Sequence, residues 1–349
     1  MSLSDNEIVD ISALSELTNL TELDLFNNKI SDISSLSGLT NLTELALGSF
    51  KISVHLSDHD ITILSGLTKL RSLNLVFYEI SDISFLSSFS NLDHLSLAGN
   101  EISEISFLSG LSNLTSLWLP NNQIDDISAI AGLPNLVQLS LANYYDYDNA
   151  NNNISDISAL SGLTNLTNLY LQGNQITDIC ALSELTNLTE LDLDDNQLDN
   201  AAITTYIPVI EANNDGIDLS YGPVYFLNIS CDDGGSIIKP GEGTYQYGKD
   251  YSVMVEVSPN PGYQIYAWHG TDDDSSTSTT NTVTMTSDKN VTAVFTNECV
   301  LSDAIIILQI LSGQDPEHDQ LSCYDVNGDG LIGMEEVIYI LQKVSGLRQ

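Results

Sequence analysis

The sequence predicts an α/β repeat solenoid, followed by a small all-β region and a helical pair at the C-terminus. Three observations carry this expectation. A Leu-x-Leu pair returns at a fixed interval through roughly residues 8 to 200, the composition shifts to Tyr, Val, Thr, Gly and Pro after about residue 222, and an apolar segment near the end occurs twice.

The repeat comes first. Leu23-Asp24-Leu25 returns as Leu45-Ala46-Leu47, Leu73-Asn74-Leu75, Leu95-Ser96-Leu97, Leu117-Trp118-Leu119, Leu139-Ser140-Leu141, Leu169-Tyr170-Leu171 and Leu191-Asp192-Leu193. From 23 to 45 is 22 residues, and the later intervals are 28, 22, 22, 22, 30 and 22, so about eight turns share one period and two carry insertions. A full turn runs from Leu17 to Gly38. Its period-two Leu23-x-Leu25 reads as a short parallel strand, and Ile30, Ile33, Leu36 and Leu39 point inward to fill the coil. One turn cannot bury its apolar face alone, whereas stacked turns can.

Other columns follow from the period. Asn28, Asn100, Asn122, Asn174 and Asn196 recur at the bend, where stacked amides can satisfy backbone groups that the turn leaves unpaired. Tyr78 and the insertion near Phe50 interrupt that column, so repeats two and three should be the weakest stretch. Ser34, Ser84, Ser106, Ser128 and Ser158 precede short apolar runs, where a hydroxyl can cap a helical turn on the convex side; Cys180 takes the same place, as a thiol without a structural partner. Asp32, Asp82, Glu104, Asp126, Asp156 and Asp178 should stack about 5 Å apart and repel one another, a repulsion that salt relieves.

These motifs resemble the bacterial, internalin-type leucine-rich repeat over roughly residues 8 to 200. The resemblance implies a right-handed α/β superhelix whose concave face binds a protein partner and performs no chemistry. The chain opens in mid-repeat at Ile8 to Leu14 without the helical N-terminal cap usual in that family, so part of the native protein is expected to be missing. Ala201 to Leu219 reads as a C-terminal cap with a short helix ending near Gly216. The solenoid with its cap is placed at residues 1–221.

The region 222–298 alternates apolar and polar residues in Tyr225 to Ser230, Tyr251 to Val257, Tyr263 to Trp268, Thr282 to Thr286 and Val291 to Phe295. Gly, Pro, Asp and Ser separate the runs, which predicts a small antiparallel β domain. Gly234 to Ile237, Gly243-Thr244-Tyr245, Pro261-Gly262-Tyr263, Trp268 and Asp288 to Phe295 look like the divergent internalin B-repeat module, a surface-protein spacer or adhesive unit. Gly241-x-Gly243 reads as a turn rather than a phosphate cradle.

In region 299–349, Asp303 to Gly313 aligns with Glu336 to Gly346, each half an apolar-faced helix ending in Gly. The pair resembles a dockerin-type domain, which implies docking to a cohesin-like partner. Within it, Asp325 to Glu336 matches the twelve-residue EF-hand loop. Asp325, Asn327 and Asp329 offer side-chain oxygens, Leu331 a backbone carbonyl, Gly333 a water position and Glu336 a bidentate carboxylate. Gly330 permits the sharp turn. The corresponding stretch of the first half, Thr292 to Asp303, belongs to the last β strand, so one Ca2+ site is expected rather than two. Losing the first loop departs from the near-symmetric pair through which dockerins dock.

Charge narrows the partners. Forty-eight Asp and Glu against nine Lys and Arg give a formal net charge of -39, which repels nucleic acid and anionic membrane. No apolar run reaches the roughly 18 residues of a membrane span. Such acidity suits a secreted protein in a cation-rich medium and resembles salt-adapted surfaces. Met1 to Ser4 has neither a basic region nor an apolar core, so a secretion signal is expected to have been removed. The location expected is extracellular or cell-surface, and the chain is expected to be monomeric. Of the four cysteines, Cys299 with Cys323 is the preferred pair.

Candidate ligand-binding residues lie on the exposed strand positions. The middle column runs Asp24, Ala46, Asn74, Ser96, Trp118, Ser140, Tyr170 and Asp192, flanked by a column that includes His94 and Glu190. Trp118 and Tyr170, with Tyr144, Tyr145 and Tyr147 on the insertion between them, should form a solvent-facing aromatic patch suited to a protein or a carbohydrate. His55 and His59, with Asp58 and Asp60, could chelate a transition metal if their loop were helical. No nucleophile and base constellation is present, so no enzyme is expected. The reading is a non-catalytic recognition or adhesion protein, with a repeat spacer docked by the C-terminal module as the alternative.

Overall fold

The computed structural model describes residues 1–49, 55–144, 151–261 and 263–296, with 305, 308–309, 311–312 and 334–344 near the C-terminus. It divides into two units, Met1–Val224 with Gln246–Lys249, and Tyr225–Tyr245 with Asp250–Gln349.

In the first unit each repeat contributes one three-residue strand: β1 Glu22–Asp24, β2 Glu44–Ala46, β3 Ser72–Asn74, β4 His94–Ser96, β5 Ser116–Trp118, β6 Gln138–Ser140, β7 Asn168–Tyr170 and β8 Glu190–Asp192. The first leucine of each pair is the strand's buried centre, and the second follows it into the core. A ninth strand, β9 (Asp218–Ser220), joins the same parallel sheet in chain order, so the cap extends the ladder that the repeats build. At the other end Ser2 bridges Asp24 in parallel, and the Leu3 N–H donates to the Asp24 carbonyl. Residues Met1 to Ser4 therefore continue the sheet's hydrogen bonding beyond β1. Opposite the strands, short 3-10 turns such as Ser34–Leu36, Ser106–Gly110 and Ser158–Leu160 return the chain and bury Leu36, Leu108 and Leu160. A single core of stacked Leu and Ile runs from Ile11 to Ile210.

The expected serine caps are corrected. The capping oxygen belongs to the acid two residues earlier: the Ser34, Ser128 and Ser158 N–H groups donate to Asp32, Asp126 and Asp156 at 2.8 Å, and the Cys180 N–H donates to Asp178 at 2.7 Å. These backbone bonds are the largest cause holding Asp32, Asp126 and Asp156 below the ordinary carboxylate value; at Asp126 the charge of Asp156 opposes them only weakly. The acids close turns before they repel.

The asparagine column behaves as expected. Asn122, fully buried, accepts from the Ile102 N–H and donates to the Leu97 and Leu119 carbonyls. Asn28, Asn100, Asn174 and Asn196 repeat the pattern. A further member, Asn152, sits past the second insertion and bonds the Ile124 N–H and the Leu119 and Leu141 carbonyls. Tyr78 occupies the column in the third repeat, and burial pushes its phenol up to about 12.

The first insertion contains a helix, α1 (Asp58–Ser65), closed at its N-terminus by a capping box of Ser57 and Asp60. His55 precedes this cap, so His55 and His59 do not share a helix face and Asp60 is already engaged; the metal expectation loses its geometry there. After β8, a π turn (Ala202–Tyr206) leads into α2 (Ile207–Asn213).

Seven further strands follow β9: β10 (Val224–Cys231), β11 (Gly235–Lys239), β12 (Gly243–Gly248), β13 (Ser252–Pro259), β14 (Gln264–His269), β15 (Thr280–Thr284) and β16 (Lys289–Thr296). They form one four-stranded sheet, β12-β10-β16-β14, and one three-stranded sheet, β11-β13-β15. The purely antiparallel expectation is corrected, since β10 and β16 pair in parallel with Ile229 opposite Val291. Strands β11 and β12 were hidden by the glycines that punctuate them. Trp268 is fully buried and donates its indole N–H to the Ser278 carbonyl at 3.1 Å. A last helix, α3 (Met334–Val344), buries Val337 and Ile340. The proposed loop positions Asp325, Asn327, Asp329, Leu331 and Gly333, and the pair Cys299 and Cys323, lie outside the described residues; Glu336 falls within α3.

Candidate ligand-binding face

Trp118, Ser140, Tyr170 and Asp192 are neighbours across β5, β6, β7 and β8, because the parallel register pairs Trp118 with Ser140, Ser140 with Tyr170 and Tyr170 with Asp192. Strands about 4.8 Å apart would leave Trp118 and Tyr170 roughly 9.6 Å apart at the backbone. Their rings lean together instead, to 5.6 Å between centroids at a tilt of 32°. Both are half-buried rather than freely solvent-facing, which corrects the expectation for them. Ser140, on the strand between, is completely buried, and its hydroxyl has no hydrogen-bond partner among the described residues.

Polar contacts brace the pair from both sides. The Trp118 indole N–H donates to Ser116 Oγ at 2.9 Å, and Ser116 Oγ donates to Gln138 Oε1 at 3.3 Å. The Tyr170 hydroxyl donates to Glu190 Oε2 at 2.5 Å, and Asn168 Nδ2 donates to the same oxygen at 2.9 Å. Burial, followed by this bond, raises the Tyr170 phenol. Asp192 is raised as well, first by burial, with the charges of Asp194 and Glu190 adding to it. Its Oδ1 accepts the Asp194 N–H at 3.0 Å.

Of the remaining candidates, Tyr144 is exposed beside this group, its N–H held by Asn121 Oδ1 at 2.6 Å; Tyr145 and Tyr147 lie outside the described residues. His94 is exposed on β4 but turned to its neighbour, Nδ1 lying 2.6 Å from Asp93 Oδ1, and Asp93 also contacts Arg71. It belongs to a lateral ion cluster and not to the aromatic group. The braces Ser116, Gln138 and Asn168 carried no residue signal in the sequence beyond their place in the flanking column.

Residues 1–38, 18–58, 90–132, 112–146, 149–184 and 164–204 match the model described as leucine-rich repeats in two copies. The chain carries leucine-rich repeats. Residues 225–299 match the divergent InlB B-repeat domain. Among solved structures, the chain is similar to an internalin (inlF) from Listeria monocytogenes, at 34% identity over 62% of this chain and 65% of that one, with a TM-score of 0.52. The chain thus spans less than two thirds of that internalin's length. An internalin C2 from the same organism is 34% identical over 54% of this chain and 78% of that one, with a TM-score of 0.46. The ectodomain of the plant receptor kinase GASSHO1/SCHENGEN3 from Arabidopsis thaliana, solved in complex with CASPARIAN STRIP INTEGRITY FACTOR 2, shares the repeat fold at 23% identity, covering 66% of this chain and 27% of that one with a TM-score of 0.51. No curated protein matches the chain. Among the described residues no helix is long and apolar enough to cross a membrane.

Proposed function

We propose that this leucine-rich-repeat chain is an extracellular, non-catalytic recognition protein that binds a protein partner on its sheet face, centred on Trp118 and Tyr170. The observation that carries the reading is the ring pair itself: two large aromatic side chains half-exposed at the middle of an otherwise small and polar strand column. Aromatic anchors flanked by polar groups are where binding energy concentrates in protein interfaces. Internalin and plant-receptor relatives of the same repeat type support a recognition role. A photo-crosslinking residue at Ser96, on the sheet face, should capture a protease-sensitive partner from the native surface environment, and one at Ser109, on the turn side, should not. Equal capture from both faces would defeat the reading.

We also propose one calcium ion in the loop from Asp325 to Glu336, with Asp325, Asn327, Asp329 and Glu336 as side-chain donors. The first, third, fifth and twelfth positions of a twelve-residue calcium loop carry oxygen-bearing side chains in the sequence, and Gly330 is the glycine that such a loop has at its sixth.

A further inference from the structure

Among the described residues no cation pairs with the carboxylates beside the ring pair. Between His94 and Lys239 the sequence contains no Lys, Arg or His, a stretch that holds β5 through β9. Glu190 and Asp192 form no ion pair among the described residues. Half-buried Asp192 sits next to Tyr170 in register, with the charges of Glu190 and Asp194 near it. On the strand between the two rings, and in the same column, lies Ser140, fully buried, its hydroxyl without a partner among the described residues. A buried hydroxyl left unsatisfied is destabilising, so a donor that reaches it is favoured.

A group that satisfies all of these at once is planar, cationic and rich in N–H donors. A sugar stacks on rings but supplies no charge to the carboxylates. An ammonium supplies charge at one point, without a flat surface to stack. A guanidinium does both.

We propose that this face receives an arginine side chain of the protein partner, its guanidinium stacked on Trp118 and Tyr170 and its N–H groups donating to Asp192, Glu190 and, when the rings part, Ser140 Oγ. The inference rests on the recognition reading above and names the chemistry of its anchor. The partner's contacting segment is basic, complementary to a chain of net charge -39.

The test uses the 15N-labelled full chain, whose two tryptophans give one reporter at the site, Trp118, and one buried control in the other unit, Trp268. Salt near 0.15 M suppresses diffuse attraction. The probe is an acetylated, amidated tripeptide with a central arginine, compared with its neutral citrulline analogue and with maltotetraose. The Trp118 indole resonance should shift saturably with the arginyl peptide and at least about fivefold less tightly with citrulline, while Trp268 stays still. Asp192→Asn should weaken the arginyl peptide about fivefold. Ser140→Ala should weaken it while leaving the free protein as stable or more stable, because it removes the orphaned hydroxyl. Equal affinity for citrulline, or a shift with maltotetraose alone, overturns the arginine assignment and leaves a binding face of another kind. A Trp118 resonance unmoved by every probe on the order of 10 mM overturns the arginine assignment together with the anchor role of the ring pair.

Discussion

The rings of Trp118 and Tyr170 meet at 5.6 Å although a whole strand, β6, lies between theirs, and Ser140 on that strand is fully buried. A ring pair of this kind contributes about 0.5–1.5 kcal/mol beyond the area it buries. Trp118→Ala and Tyr170→Ala are each expected to lower unfolding free energy by about 1–2 kcal/mol, and the double variant by less than their sum. Urea denaturation of the four proteins checks this. Strict additivity would show that the rings are independent.

Asn122 is fully buried with four backbone partners, one N–H and three carbonyls. Asn122→Ala leaves those groups facing a hole too small to be freely solvated. The expected loss is about 3 kcal/mol, read as a fall in urea midpoint at constant slope. A loss below about 1 kcal/mol would mean that water replaces the amide without cost.

On the turn side, Asp126 ties down the Ser128 N–H, and its neighbour Asp156 does the same for Ser158. Removing the acceptor should cost stability; removing only the charge should not. Asp126→Ala is therefore expected to lower the melting temperature at any salt, while Asp126→Asn stays near the parent or above it at low ionic strength. If both variants melt higher than the parent, repulsion outweighs the turn.

Asp93 carries the acid dependence of the lateral ion cluster. Burial raises its pKa, but the bonds from His94 and Arg71 and their charges outweigh that, and the net value lies below the ordinary 3.8. A depressed folded value means that Asp93 contributes stability above about pH 4, and that this is lost as pH falls through the lower folded value. Asp93→Asn should flatten the stability curve on its acid limb below about pH 4 and lower the plateau at neutral pH. A parent and variant that lose stability in parallel below pH 4 would refute it.

Calorimetry of the full chain should find close to one calcium per molecule, with a dissociation constant of roughly 0.1–1 mM as in extracellular modules. Glu336→Gln, which removes a carboxylate oxygen and its charge, should weaken uptake at least about tenfold, with the repeats' melting unchanged. No uptake at several millimolar, or two equivalent sites, would sink the single-loop reading.

The 22-residue period alone determined the strands, the inward Leu and Ile, and the Asn column, because each of these is set within one turn and then copied by stacking. The acid at Asp32 and its equivalents was visible too, but its role was misread: a bond to the N–H two residues later is local geometry that charge counting overlooks. Tertiary structure decided what the period does not contain. Asn152 rejoins the column only because the coil closes again after the insertion, and β9 and residues Met1 to Ser4 enter the ladder because an open parallel edge offers unpaired N–H and C=O groups. The parallel pairing of β10 with β16 joins residues 62 apart, from Ile229 to Val291, beyond the reach of any local pattern. The contact between Trp118 and Tyr170 belongs with these. Two aromatic positions separated by 52 residues, from Trp118 to Tyr170, become a single feature only once the sheet has placed them two strands apart, where leaning together covers more apolar surface than facing water singly.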